Sequence, residues 1–305
     1  MSTEHQHHSA NENFKQRNML VTIILNFTIT ALELIGGILS GSLALISDAL
    51  HNLSDGISVI ISYFALKISQ KNRDRTMTYG YKRAEIIAAL LNATVLFVIA
   101  LYLIREGILR FLNPQEINAQ MMIGIAFVGL IANSISVFLL HGGARDSINI
   151  KSAYVHLLAD AFSSVGVILG GITILYFNVY WLDPLITVGI ALYILRESIN
   201  IIWKTIKILM QAVPENIDIE DIKQVVENLE QVEDIHHIHL WQTNDSDIHV
   251  EFHINVCENL KLSETKIIKE KIKHLLKEEF NIQHLTMQIE YKSCKNVGLI
   301  KEDWT

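Results

Sequence analysis

Two short motifs of the same form occur far apart in the chain, and both contain side chains that bind metal ions. Each reads His-x-x-x-Asp-x-x-Ser, with His51, Asp55 and Ser58 in the first and His156, Asp160 and Ser163 in the second. A spacing of four puts the His and the Asp of each motif on one helix face. If two such helices pack face to face, two imidazoles and two carboxylates surround one point. That N2O2 set suits tetrahedral Zn²⁺.

Both motifs lie inside long apolar stretches, where ionisable side chains are costly. A charged group in a transmembrane helix costs several kcal/mol by most estimates, and here four such groups occur in matched pairs. The alternative is that each Asp only hydrogen-bonds its neighbouring His and so helps the helices associate. The repetition of the pattern favours a shared metal site.

The elements that carry the motifs are predicted to be membrane-spanning helices. Half the chain of 305 residues is hydrophobic, and the mean hydropathy is +0.30. Each apolar stretch is near or above the roughly 20 residues that a helix needs to cross a bilayer. The six predicted helices are 18–39, 43–68, 83–112, 120–140, 152–177 and 183–208. The sequence therefore predicts an α-helical polytopic membrane domain over 18–208.

The basic residues of the loops predict the orientation of these helices. The 71–82 and 141–151 loops carry Lys and Arg, and so does the segment before the first helix, whereas the other three connections carry none. Because cytoplasmic loops are enriched in Lys and Arg, both termini are expected in the cytoplasm. Residues 1–17 are polar, contain His5, His7 and His8, and are predicted to be a disordered cytoplasmic tail.

The chain changes character at Pro214. Residues up to Val213 hold 15 Lys and Arg against 13 Asp and Glu, whereas the remainder holds 10 against 19. The hydrophobic periodicity then predicts the order αββαβ, a small α+β domain over 214–292 with both helices on one face of the sheet. A flexible tail is expected at 293–305. The net charge of −7 argues against a nucleic-acid partner.

Three further polar residues fall inside the predicted helices. Asp48 shares a helix face with His51 and Asp55, so it could support the metal site or line an ion pathway; a helix-start residue near the membrane interface is the alternative. Asn26 and Glu33 lie seven residues apart on one face of the first helix. They could belong to the same pathway, or they could form hydrogen bonds between helices.

These features together resemble the cation diffusion facilitator family of zinc-efflux transporters. The segment GSLALISDALHNLSDGIS is similar to the second-helix signature of that family, and SAYVHLLADAFSSVGVILGG to the fifth. The acidic αββαβ segment resembles its metallochaperone-like, ferredoxin-like cytoplasmic domain. The resemblance implies a homodimer, in a bacterial inner membrane, that exports Zn²⁺ in exchange for protons by alternating access. His51, Asp55, His156 and Asp160 would form the transport site, and no organic cofactor is expected.

The resemblance also implies metal positions outside the membrane. His236, His253 and Glu290 match the positions at which the family builds a regulatory zinc site, although they could equally form a solvated acidic face. The family often places a histidine ligand in the 71–82 loop, but Lys82 occupies that position here. Because Lys is a poor Zn²⁺ ligand at neutral pH, no metal site is expected in this loop. Cd²⁺, Co²⁺ and Fe²⁺ are further possible substrates.

Two other functions could use the same motifs. A membrane zinc sensor or receptor would use the same four ligands without moving the ion, and the sequence separates it poorly from a transporter. An intramembrane zinc hydrolase would keep a coordination position open for water. Four protein ligands would fill that position, and no H-E-x-x-H pattern occurs, so the chain is not expected to be an enzyme.

Overall fold

A computed structural model describes the backbone of residues 3–141, 148–293 and 298–299, and the side chains of these ranges from 21 to 141 and from 154 onward. Contacts divide the chain into two compact units. The first comprises Met1–Tyr63 and Leu91–Ile202, and the second comprises Phe64–Leu90 and Trp203–Thr305. Each unit is described separately below.

Six long helices occupy the apolar part of the chain. They are α1 Thr3–Ser40, α2 Leu43–Ser69, α3 Arg83–Leu112, α4 Ala119–His141, α5 Ile148–Phe177 and α6 Leu182–Leu209. Among the described residues, all of these except α2 are long and apolar enough to cross a membrane by length and composition. The 27-residue α2 is also long enough to span, but it carries the polar residues of the first motif. The six-helix architecture is confirmed, and the helix ends agree with the sequence prediction within a few residues except at the start of α1 and of α5.

The first helix begins earlier than the sequence predicts. Residues 3–17, expected to be a disordered tail, continue α1 in the structure. This stretch contains no Pro or Gly, the two residues that most disfavour a helix interior, so no residue in it interrupts a helix.

A buried carboxylate joins the starts of α2 and α6. Asp183 accepts hydrogen bonds from the Ser42 hydroxyl at 2.6 Å, from the Leu43 N–H at 2.8 Å and from the Ala44 N–H at 3.2 Å. These N–H groups belong to the first turn of α2, which has no partners for them within its own helix. The carboxylate of Asp183 therefore caps the start of α2.

The acidic part of the chain folds as the predicted αββαβ unit. Its elements are α7 Ile219–Glu227, β1 Val232–Gln242, β2 Ile248–Val256, α8 Leu262–Phe280 and β3 His284–Glu290. The sheet order is β1-β2-β3, with β1 and β2 antiparallel and β2 and β3 parallel. Ile222 and Val226 of α7 and Ile272 and Leu276 of α8 are buried in one core with Phe252 of β2.

The connection between α2 and α3 belongs to the second unit, which the sequence did not predict. Lys82 Nζ lies 3.0 Å from Asp247 Oδ2 in the β1–β2 turn, and the rings of Tyr79 and His249 contact each other edge to face at 5.5 Å. The lysine that replaces the family histidine is therefore half of an ion pair. Most of the predicted tail 293–305 lies outside the described residues, but the Leu299 carbonyl accepts a hydrogen bond from the Ile238 N–H.

Candidate metal centres

The two His-x-x-x-Asp motifs meet at one point between α2 and α5. Nε2 of His51 lies 3.4 Å from Oδ2 of Asp55, and Nε2 of His156 lies 3.5 Å from Oδ2 of Asp160. Across the helices, His156 Nε2 is 3.3 Å from Asp55 Oδ2, and the two imidazole centroids are 5.8 Å apart. One ligand atom each from His51, His156 and Asp160 lie within 4.8 Å of one another. The four sequence-predicted residues are therefore neighbours.

Several atoms of this group have no hydrogen-bond partner among the described residues. They are Oδ2 of Asp55, Oδ2 of Asp160 and Nδ1 of His51, and all three are buried. Buried polar atoms are normally paired, so unpaired ones need an explanation such as an ion. The donors are two imidazoles and two carboxylates, a set that fits a divalent cation of the zinc type.

Asp48 lies beside this group and contacts α5. Its carboxylate accepts a hydrogen bond from the Ser163 hydroxyl at 3.0 Å, and the residue is 3% exposed. The serine that ends the second motif thus holds the carboxylate of Asp48 rather than a neighbour on its own helix. Asp48 is a buried residue that lies five positions after the first residue of α2.

Glu33 of α1 reaches α2 through a residue that the sequence analysis did not single out. Asn52, the neighbour of His51, donates from Nδ2 to Oε2 of Glu33 at 3.3 Å. Glu33 and Asn52 are each 1% exposed, and Oε1 of Glu33 has no described partner. Asn26 lies two turns earlier on α1, and its Oδ1 is also unpaired. A signal for Asn52 existed, since it is a polar residue inside a spanning helix.

A second group of possible metal ligands lies on the three strands of the αββαβ unit. One ligand atom from each of His236, His253 and Glu290 falls within 4.8 Å of the other two. His253 Nδ1 is 3.0 Å from Glu290 Oε1, and His236 Nε2 is 3.7 Å from Glu290 Oε2. His236 Nε2 and Glu290 Oε2 are both buried and have no hydrogen-bond partner among the described residues. The group thus fits a Zn²⁺ ion with two imidazoles and a carboxylate.

Two residues that the sequence analysis missed hold His236 in place. Asp234 Oδ1 lies 2.7 Å from His236 Nδ1, and Asn255 donates to Asp234 Oδ2 at 2.8 Å. A neutral imidazole that donates from Nδ1 to the Asp234 carboxylate would keep the lone pair of Nε2 toward Glu290, where it could bind a metal. Burial acts to raise the pKa of Glu290, but hydrogen bonds from Ser293 and Gln288 and the nearby imidazoles outweigh it and lower that pKa.

Two other histidines of this domain lie in a stack of rings rather than in the ligand group. His249 stacks on His284 with ring centroids 4.3 Å apart, and on Trp241 at 5.3 Å. Burial, followed by the charge of His284, lowers the pKa of His249 to about 4. His249 is therefore neutral at physiological pH.

The six long helices define a polytopic membrane protein, and the cluster of two imidazoles and two carboxylates between α2 and α5 is a set of side chains that could hold a divalent metal cation. Comparison with known families gives the narrower class. Residues 19–210 match the profile described as "Cation efflux transmembrane domain", and residues 214–292 match "Cation efflux protein, cytoplasmic domain". The chain belongs to the cation diffusion facilitator family.

Three relatives illustrate the similarity. The "Cadmium, cobalt and zinc/H(+)-K(+) antiporter" of Bacillus subtilis is 38% identical over 285 residues, which cover 93% of this chain and 91% of that protein. The "Metal cation efflux system protein CzcD" of Cupriavidus metallidurans is 33% identical over 291 residues, with coverage of 95% and 90%. The "Zinc transporter ZitB" of Escherichia coli is 30% identical over 296 residues, with coverage of 95% and 93%.

The family membership settles the broad function. This chain is an integral membrane protein of a metal cation efflux family, and it is a transporter rather than an enzyme. The hydrolase alternative is therefore wrong.

Proposed function

We propose that this protein exports Zn²⁺ in exchange for protons by alternating access through His51, Asp55, His156 and Asp160. The observation that carries the proposal is the cross-helix contact of 3.3 Å between His156 Nε2 and Asp55 Oδ2. It joins the two motifs into one ligand set between two apolar helices. A single buried ion would satisfy all four side chains at once.

The chemistry of the ligands favours Zn²⁺ over harder ions. Imidazole nitrogens with carboxylate oxygens suit Zn²⁺ and related transition metals, whereas Mg²⁺ prefers oxygen alone. The names of the relatives add cadmium and cobalt, and Cd²⁺ and Co²⁺ accept the same donor types. We therefore expect Zn²⁺ as the main substrate, with Cd²⁺, Co²⁺ and Fe²⁺ as weaker ones.

Competition at the ligands couples metal to protons. An imidazole binds Zn²⁺ only after it has lost its proton, so each bound Zn²⁺ displaces protons from the site. When the site faces the cytoplasm, Zn²⁺ replaces the protons, and when it faces outward, protons replace Zn²⁺. The antiporter name of the Bacillus subtilis relative agrees with this exchange.

We propose that the protein works as a homodimer in the bacterial inner membrane, with both termini in the cytoplasm. The profile matched by residues 214–292 is named for a dimer, and the basic 71–82 loop obeys the positive-inside rule. His236, His253 and Glu290 would hold a regulatory Zn²⁺ in the cytoplasmic domain. One ligand atom of each lies within 4.8 Å of the other two, and His236 Nε2 and Glu290 Oε2 are buried without a hydrogen-bond partner among the described residues.

A flux assay on purified protein in liposomes tests the proposal. Zn²⁺ uptake into vesicles with an acidic interior should exceed uptake without a pH gradient, and protons should leave as Zn²⁺ enters. The Asp160→Asn variant should lose the flux. A sensor would bind Zn²⁺ with no flux in either protein, and zinc movement without counterflow of protons would contradict the exchange mechanism.

A further inference from the structure

We propose that a polar seam between α1 and α4 is hydrated and carries protons between the cytoplasm and the buried centre. The seam consists of Thr22, Asn26 and Glu33 on α1 and Asn133 and Ser136 on α4. This inference rests on the proposed function, because it supplies a route for the protons that exchange with Zn²⁺.

The two helices run antiparallel, and three contacts fix their register. The Asn118 N–H donates to the Ser40 carbonyl at 2.9 Å, and Gly36 packs against the side chain of Ile125. Further along, a methyl group at Gly129 would lie 2.5 Å from Oε1 of Glu33. Continuing this register by two turns places Asn26 level with Asn133 and Ser136.

The polar residues form one stripe on each helix. Thr22, Asn26 and Glu33 follow helical spacing along α1, and Gly129, Asn133 and Ser136 do so along α4. The α4 stripe belongs to the buried face of that helix. The two stripes therefore face each other from Glu33 toward the end of α1 that is proposed to be cytoplasmic.

These side chains share an unusual property for a membrane domain, since each has a buried atom without a partner among the described residues. The atoms are Thr22 Oγ1, Asn26 Oδ1, Glu33 Oε1, Asn133 Oδ1 and Nδ2, and Ser136 Oγ. Each unpaired polar group in an apolar environment costs a few kcal/mol. A row of water molecules would satisfy all of them, because each water needs two to four polar partners.

Neighbouring hydroxyls show that the chain can satisfy such groups without water. Ser134 faces outward on α4 and donates to the Leu130 carbonyl at 2.7 Å, and Thr30 on α1 donates to the Asn26 carbonyl at 2.8 Å. Ser136, only two residues from Ser134, makes no such bond. Its hydroxyl is thus available to a molecule in the seam.

The seam ends beside the metal centre. Glu33 is held by Asn52, which is adjacent to His51, and Asp48 lies one turn before Asn52 on α2. Up to Glu33, the seam contains only amide and hydroxyl groups, which can bind water. It contains no imidazole or thiolate, the groups that would replace the hydration shell of Zn²⁺. Protons are therefore the species that this route fits.

Thiol accessibility tests the hydration of the seam without any zinc measurement. In the full chain carrying Cys257→Ser and Cys294→Ser, single variants Asn133→Cys and Ser134→Cys are treated with a small, water-soluble methanethiosulfonate in liposomes. We expect Asn133→Cys to react at least about tenfold faster than Ser134→Cys. The reason is that only a hydrated thiol ionises, and the thiolate is the reactive form. Position 133 lies one residue further from the cytoplasmic end of α4, so a simple gradient of access along the helix would predict the opposite order. Equal or slower reaction at position 133 would overturn the proposal.

Blocking the seam gives the second test. In detergent, the Zn²⁺ affinity of Asn133→Leu should stay within about twofold of the parent value, because the four ligands remain. In liposomes, the proton flux that zinc drives should fall about tenfold. Ser134→Leu, the matched control, should leave both unchanged. If Asn133→Leu exchanges protons normally, the seam is not the route. If the parent chain moves no zinc, the proposed function fails, and the thiol comparison still decides whether the seam is hydrated.

Discussion

Asp55 Oδ2 lies 3.3 Å from His156 Nε2 on another helix, slightly closer than the 3.4 Å that separates it from His51 Nε2 on its own helix. The Asp55 carboxylate therefore joins α2 to α5 as well as completing its own motif. A cation at this point would be held by both helices. Its departure would leave the negative charges of two carboxylates, which protons bound by the carboxylates or the imidazoles would balance.

Replacing Asp55 by Asn should abolish most transport. The amide keeps the shape of the side chain but loses the charge and one metal-binding oxygen, so we expect zinc flux to fall by at least about tenfold. Flux in liposomes and zinc affinity in detergent measure the effect. Glu116→Gln, in the loop before α4, is the control and should keep wild-type flux. Normal flux in Asp55→Asn would refute the assignment of this ligand.

Asp234 should matter for zinc binding in the cytoplasmic domain although it is not a proposed ligand. Asp234→Asn weakens the acceptor that fixes the His236 ring, and loss of such a partner lowers metal affinity by about 10- to 100-fold. The measurement is equilibrium zinc binding to the full chain in an Asp160→Asn background, where the intramembrane site is weakened. Asp221→Asn on α7 is the control. An unchanged affinity in the Asp234 variant would contradict the positioning role.

The stacked histidine should make the stability of the cytoplasmic domain fall in mild acid. Burial, together with the charge of His284 and of Arg73 and Arg83, lowers the pKa of His249 to about 4, against the opposing charge of Asp247. Between pH 6.5 and 4 the unfolded chain binds the proton more readily than the folded one, so stability decreases as the pH falls through this window. The expected loss is on the order of 1–2 kcal/mol after allowance for solvent screening.

Hydrogen exchange of the β2 amides in the full chain, corrected for the intrinsic rate at each pH, measures this loss. His249→Phe keeps an aromatic ring in the stack and removes the titrating group, so its protection should depend less on pH. His274→Phe, on α8, should retain the parent behaviour. If the parent and His249→Phe lose protection equally, another group is responsible.

Asp183 should be a strong stability determinant of the membrane domain. Asp183→Ala leaves the Ser42 hydroxyl and the N–H groups of Leu43 and Ala44 without their acceptor, at a cost of about 2–4 kcal/mol. Asp183→Asn retains one acceptor oxygen and should lose less. Thermal unfolding in detergent should rank the parent above Asp183→Asn and Asp183→Ala last; equal midpoints would exclude the capping role.

Helix positions and the paired motifs could be predicted because both depend on local patterns. Apolar length placed the six helices, and a spacing of four placed His51 with Asp55 and His156 with Asp160. The contact of Asp183 with α2 depends instead on the tertiary packing of two distant helices. The contact of Asp234 with His236 depends on the local geometry of one strand, which hydropathy does not encode. Asn133 and Ser136 give the same kind of signal as Asn52, a polar side chain inside a spanning helix, but the helix that they face depends on tertiary packing.

The early start of α1 and the place of Lys82 were missed for different reasons. Polar composition predicted a disordered tail, but helix propensity is independent of hydropathy, and residues 3–17 contain no helix breaker. That Lys82 is a poor metal ligand stays a prediction. Its ion pair with Asp247 could not be foreseen, because the partner lies 165 positions later in the sequence.

The carboxylate of Asp183 has a mechanical consequence for any cycle between inward and outward states. It fastens the first turn of α2 to the beginning of α6 with three hydrogen bonds, all of them shielded from water. In the proposed transport cycle we expect those two helix ends to move together, because separating them would leave the buried Asp183 carboxylate without its donors. A change of access around His51 and Asp55 would then involve the later turns of α2 more than its first turn.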